Sequence, residues 1–158
     1  MQAYIPEIVK LTEGARWDNN EEGSQVIEFW TTIAEVEIAR LETQGQILNF
    51  IDTNSAFLLN LLLQCISNVQ IDDEDEAEEE WGVNLASGCC LVKLSLLLKN
   101  KVVQPVVQFV STNIVDTDWK KRYAALMTLG AIADGPDKQE FAKIVMPSMA
   151  QLFNMTKD

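Results

Sequence analysis

Pro105 and Pro147 stand 42 residues apart, each in a helical segment that precedes, or would precede, a capped second helix. Proline is tolerated in the first turn of a helix, but in mid-helix it removes a hydrogen bond and kinks the axis. The spacing matches paired-helix solenoid repeats, whose period is about 40 to 47 residues. The rest of the chain agrees. Almost every segment reads as helix, and strand-like alternation is sustained nowhere. The expected class is all-α: an α-solenoid of about three helix pairs plus one further helix.

The first helix is expected from Gln2 to about Thr12, with Tyr4, Ile8 and Leu11 on one side. Gly14 and then Asp18, Asn19 and Asn20 supply a turn with good capping chemistry. A second helix follows from about Glu21 to Thr43, with Val26, Phe29, Trp30, Ile33, Val36 and Leu41 as its apolar stripe. Residues 45–52 form a polar link with room for a short helical turn. A third helix starts after Asn54 and Ser55 and runs to about Val69. A fourth covers about Val83 to Leu98 and a fifth about Val102 to Asn113. Asp116 to Asp118 cap a sixth, Trp119 to Ala133, which Gly135-Pro136 ends. A seventh spans about Lys138 to Met155.

The best-defined unit is a proline-bearing helix, a short turn, and VDTDWKKRYAALMTLGAI. Ala124, Ala125, Gly130 and Ala131 permit close approach of a neighbouring helix. Asp116 and Arg122 stand six apart, the spacing at which HEAT-type repeats place an Asp and an Arg that bond between adjacent units. The expected repeats are therefore 2–43, 54–98 and 102–133, with 138–155 starting another. A solenoid has no closed core, because each repeat buries its faces on its neighbours. The chain opens in mid-pattern and closes on an unpaired helix, so a longer solenoid and a tendency to self-associate are expected.

Charge is concentrated in one place. Residues 72–80 read DDEDEAEEE, eight carboxylates in nine positions, followed by Trp81. The chain has 24 acidic and 12 basic residues; without this block the balance is 16 to 12. Eight like charges in a row repel one another and gain nothing from folding onto a core. Such a run reads either as a solvated connector or as a docking loop, 71–82, for a basic partner. The net charge of −12 argues against direct binding of nucleic acid or of an anionic membrane.

Other chemistry is thinly represented. Histidine is absent, which removes the commonest general base and metal ligand. Cys65, Cys89 and Cys90 lie in apolar helical stretches without a pairing framework, and are expected as reduced, buried thiols. The acidic run lacks the alternating ligands and central Gly of a calcium loop. No phosphate-binding loop, zinc spacing or nucleophile–base set appears. The expectation is no enzyme activity, no cofactor and no metal. The longest apolar stretch, residues 56–66, is too short to span a bilayer, and no signal peptide is seen.

Four stretches carry a resemblance to a known family: SQVIEFWTTIAEVE (24–37), the acidic run ending EEEW (78–81), VVQPVVQFVSTNI with DW at 118–119, and RYAALMTLGAIADGP (122–136). Together the chain resembles the middle of importin-β, the karyopherin nuclear import receptor built from HEAT repeats. The resemblance implies repeats 7, 8 and 9 of a receptor with about 19. It implies three partners: a basic helix of an importin-α-type adaptor or a basic cargo, Ran-GTP, and phenylalanine-glycine repeats of nucleoporins. It also implies residence in cytoplasm and nucleus and at the pore. Glu28, Glu35, Glu78, Glu79 and Trp81 match positions that contact the basic adaptor helix. Glu28 and Glu35 are seven apart and so share a helix face. Asp72, Asp73, Glu74, Asp75, Glu76, Glu78, Glu79 and Glu80 match the loop that meets a basic patch on Ran. Tyr4 and Ile8 fall near positions lining a pocket for pore phenylalanines. Bidentate pairing of carboxylates with arginine suits this role, and Trp81 suits stacking on a guanidinium.

The chain also departs from the family. Its loop is rich in Glu rather than Asp, with Ala77 interrupting it. Gly82-Val83-Asn84 stands where the family has Asn-Pro, and Val36 replaces the second of two consecutive acids. Two other readings are a different HEAT-repeat scaffold and an acidic chaperone for basic proteins. The EEEW loop inside a helix pair separates the first from importin-β, since a scaffold needs no such loop. A chaperone would need only the charge. Trp30 and Trp119 are expected to pack in the core.

Overall fold

The computed structural model describes residues 4–17, 20–46, 48–68 and 82–155. Its elements are α1 (Ile5–Glu13), α2 (Asn20–Gln44), α3 (Phe50–Thr53), α4 (Ser55–Ser67), α5 (Val83–Leu98), a 3₁₀ turn (Lys99–Val102), α6 (Val103–Asn113), α7 (Trp119–Ala131) and α8 (Lys138–Met155). Four sequence expectations fall partly outside these residues: the start of the first helix at Gln2, the Asp18-Asn19 cap, the end of the third helix at Val69, and the acidic loop through Trp81.

Local sequence explains where several helices begin. Pro6 occupies the first turn of α1, where its missing N–H is no loss. Asp118 caps α7, its carboxylate accepting from the Lys120 amide at 2.9 Å. Pro105 lies in the first turn of α6, and Pro147 lies inside α8.

The helices stack in two layers. In one, α5 packs between α2 and α7; in the other, α6 packs between α4 and α8. α4 against α5 and α6 against α7 join the layers. The helices α2, α5 and α7 run in the same direction. Gly23 faces Val83 while Glu35 meets Lys93 further along, and Gly88 faces Met127 while Ser95 meets Ala131. The core between the layers includes Ile27, Leu58, Leu62, Leu91, Leu94 and Val106, all fully buried. Each such side chain contributes about 1.5–3 kcal/mol.

Polar ties fix the junctions. Trp30 Nε1 donates to Thr12 Oγ1 at 3.0 Å, pinning α1 to α2. Buried Glu37 of α2 accepts from the backbone N–H groups of Phe50 and Ile51, holding α3. Asp52 pairs with Lys101 of the 3₁₀ turn. Asn100 and Asp137 exchange two hydrogen bonds of 2.8 Å at the start of α8.

Several sequence expectations need correction. On α2 the buried side is Gly23, Ile27, Trp30, Ala34 and Glu37, whereas Phe29, Val36 and Leu41 are exposed. The stripe is rotated because α2 meets α5 closely through small residues, leaving bulky ones on the far side. Leu11 and Tyr4 are likewise exposed, and α7 ends at Ala131 rather than Ala133. Trp119 is 47% exposed, so it does not pack in the core. Cys89 is exposed, because it sits between the phases that face α2 and α7. Arg122 makes its hydrogen bonds within its own helix pair rather than to an adjacent unit. Its guanidinium donates to the backbone carbonyls of Asp116 and Thr117 at 2.8 and 2.9 Å. The Asp116 carboxylate instead bonds Lys121, which holds it below the usual carboxylate range.

Candidate docking face

The layer of α2, α5 and α7 has an outer side that no described element covers. At about 100° per residue, the positions opposite the buried stripe of α2 are Gln25, Phe29, Thr32 and Val36. On α5 they are Leu85, Cys89, Val92 and Leu96, and on α7 they are Trp119, Tyr123 and Leu126. Phe29, Cys89, Val92, Trp119, Tyr123 and Leu126 are exposed, and Leu85 and Leu96 are half-buried. Trp119 and Tyr123 meet edge to face, their ring centroids 6.5 Å apart.

Two of the sequence-derived carboxylates belong to this side. Glu28 and Glu35 are exposed on the shoulder of α2 toward α5. Glu35 is paired with Lys93 of α5 at 3.2 Å, an exposed pair worth a few tenths of a kcal/mol to about one. Glu28 has no cationic partner among the described residues, so its charge is free to meet a ligand. Asp72, Asp73, Glu74, Asp75, Glu76, Glu78, Glu79, Glu80 and Trp81 lie outside the described residues. The chain re-enters at Gly82, whose extended backbone precedes α5.

Tyr4 and Ile8 sit at the other end of the chain. Tyr4 precedes α1 and is exposed. Ile8 is partly buried against the core, and its carbonyl accepts from Thr12 Oγ1 at 2.9 Å. The two are one turn apart, Tyr4 exposed and Ile8 half-buried.

Sequence reasoning missed a groove of about 640 Å³ between α4 and α6. Leu59, Leu63, Pro105 and Phe109 line it together with Asn60, Gln64 and Asn113. Asn60 and Gln64, which interrupt the apolar run of the third expected helix, were its one visible signal. The buried thiols of Cys65 and Cys90 are both pushed up to about 11 by desolvation, so neither is a nucleophile near neutral pH. Among the described residues no group of three or more acidic or cysteine side chains could hold a metal ion, and no helix is long and apolar enough to cross a membrane.

No protein-family model matches the chain. It is 33% identical over 158 aligned residues to importin subunit beta-1 of Schizosaccharomyces pombe, covering 93% of this chain and 18% of the relative. Among solved structures it resembles Kap95p, whose binding induces the switch loops of RanGDP to adopt the GTP-bound conformation. There the TM-score is 0.81 at 30% identity, over 94% of this chain and 18% of that one. The Kap95:Nup1 complex gives a TM-score of 0.76 at 30% identity over 89% of this chain and 17% of that one. The chain thus spans less than a fifth of the length of these relatives, and its two-layered helix array is a HEAT-repeat solenoid like theirs. Along nearly its whole length, the chain is homologous to importin subunit beta-1.

Proposed function

We propose that the chain serves as part of a nuclear import receptor, docking its partners reversibly and without chemistry. The observation that carries this is the near-complete alignment with importin subunit beta-1. The first partner is a basic segment of an importin-α-type adaptor or of cargo, met by Glu28 and Glu35 on the outer face and by Glu78, Glu79 and Trp81 of the acidic loop. The second is Ran-GTP, met by Asp72, Asp73, Glu74, Asp75, Glu76, Glu78, Glu79 and Glu80. The third is the phenylalanine-glycine repeats of nucleoporins. Their side chains need an apolar recess, for which Tyr4 and Ile8 are the sequence-derived candidates and the groove of about 640 Å³ between α4 and α6 is a second.

Physical chemistry supports this assignment. Carboxylates concentrated on one surface accelerate encounter with an arginine-rich ligand, an effect that salt suppresses. Arginine forks engage carboxylates bidentately. The repeats are expected to divide at 2–43, 54–98, 102–133 and 138–155, with the loop 71–82 inside the second. A receptor of this kind works in cytoplasm and nucleus and at the pore.

The test is a pull-down of the chain with an arginine-rich adaptor helix, Ran-GTP and a phenylalanine-glycine peptide, at low and high salt. Capture of the first two at low salt and release at high salt is expected. Capture of neither at low salt would refute the assignment for this chain. Scrambling residues 72–80 at constant charge, with Trp81 kept, separates a receptor from an acidic chaperone, since only the chaperone would be indifferent to the order.

A further inference from the structure

Backbone strain gathers at the turns between successive helix pairs. Asn49 and Lys99 are the two non-glycine residues with positive φ among the described residues, at 61° and 53°. Asn49 stands directly before α3, and Lys99 opens the 3₁₀ turn that leads into α6. An L side chain at such a φ crowds its own backbone, so the conformation persists only where neighbouring contacts impose it. At both turns those contacts are polar and cross from one element to the next. Glu37 of α2 accepts from the Phe50 and Ile51 N–H groups just after Asn49. Lys101 reaches back to Asp52 of α3. Asn100 reaches forward to Asp137, donating to its carboxylate and accepting from its N–H. Leu98 and Val102 are buried on either side, which leaves Lys99, Asn100 and Lys101 exposed between two anchors.

We propose that residues 99–101 are a two-state hinge between the helix pair that contains α5 and the pair that contains α6. In the tied state the links to Asp52 and Asp137 hold Lys99 at φ 53° and ψ −126°. When the links part, Lys99 relaxes to negative φ and α6 swings relative to α5. Hinges are short segments at element ends that absorb a backbone rotation of this kind. The strain at Lys99 biases the joint toward opening, and the two links bias it toward the tied state. A change in either one therefore shifts the balance between them. The weaker link is the ion pair. The side chains of Lys101 and Asp52 are 63% and 39% exposed, so competing charge in solution or on a bound molecule reaches them. The device is independent of which partner the chain docks.

Double electron–electron resonance between two spin labels tests this. Exposed Cys89 on α5 takes one label and Gln108→Cys on α6 takes the other, while the buried Cys65 and Cys90 stay unlabelled. With both links intact the labels should give one dominant distance. Lys101→Gln combined with Asn100→Ala should add a second, displaced population. Raising salt should move the chain with intact links part of the way in the same direction. Adding Lys99→Gly to the double substitution should shift the population ratio back toward the tied state by about fivefold or more, because glycine takes positive φ without strain. All three positions are exposed, and circular dichroism checks that the fold is kept. Should the double substitution unfold the chain, Lys101→Gln alone is read in the same way. An unchanged distance after the links are removed would overturn the hinge. So would a displaced population that Lys99→Gly leaves in place, since the links would then be ordinary stabilising contacts with no strain set against them.

Discussion

Three glycines in and around α5 and α7 have different surroundings, and their replacement by alanine should separate accordingly. A Cβ on Gly135 would lie 2.4 Å from the carbonyl oxygen of Ser95 and 2.6 Å from its carbonyl carbon. Real Cβ atoms essentially never come within 3.0 Å of another heavy atom, so about 0.6 Å of movement is required. What must move is backbone, and that carbonyl accepts the Lys99 N–H that closes α5. Overpacking of this kind costs about 1–3 kcal/mol, and the rigid obstacle puts Gly135→Ala at the upper end. Gly88 meets the flexible end of Met127, which can swing aside, so Gly88→Ala should cost less than about 1 kcal/mol. Gly130 has nothing within 4 Å. Near the end of a helix, Gly130→Ala should gain up to about 0.5 kcal/mol from backbone entropy alone. For a chain of this size 1 kcal/mol moves Tm by about 2–4 °C. Thermal unfolding followed by circular dichroism should therefore show Gly135→Ala lower by about 6–12 °C and Gly130→Ala unchanged or slightly higher. A neutral Gly135→Ala, or a Gly130→Ala that destabilises more, would refute the packing of Gly135 on the α5 backbone.

Glu37 gives a pH signature. Desolvation raises its carboxyl above the ordinary 4.5, against the opposing hydrogen bonds from Phe50 and Ile51. The folded state then holds the proton more tightly than the unfolded state, so stability falls as pH rises from about 4.5 through the folded value and levels off beyond it. Denaturant titration should show Glu37→Gln gaining on the unmodified chain over that rise and keeping a constant offset below it; a flat difference at all pH values would contradict the burial argument. Thiol labelling of the native chain should modify Cys89 rapidly, and Cys65 and Cys90 only on unfolding, since both are buried with thiols at about 11; fast reaction of more than one thiol would be the wrong result. Asp118→Ala should cost about 1 kcal/mol through loss of the α7 cap, read as a lower urea midpoint at unchanged slope.

The sequence made most helix boundaries legible because breakers and caps punctuate it. The expected Val83 to Leu98 and Lys138 to Met155 coincide with α5 and α8, and Asp118 caps α7 as its position suggested. Helix phase was less legible where a helix has neighbours on two sides. The buried side of α2 is chosen by what lets α5 come close, and Gly23, Ser24 and Ala34 do that better than Phe29 or Val36. Hydrophobicity alone ranks those residues the other way. The same blindness put Trp119 in the core and hid Cys89 at the surface. Glu28 and Glu35 were recognisable as sharing a face, but the Lys93 partner of Glu35 depends on the α2–α5 contact, which no local pattern encodes. The groove between α4 and α6 joins residues 56–67 to 105–113, a pairing visible only once the layers are stacked.

Titration of an arginine-rich helical peptide against the chain, compared with Glu78→Gln, Glu79→Gln and Glu80→Gln made together, tests most directly whether the acidic run is a docking element of an import receptor. The triple substitution should weaken binding and flatten its salt dependence, with thermal unfolding almost unchanged. Full affinity in the substituted chain, or a large loss of stability in place of a loss of binding, would contradict the account.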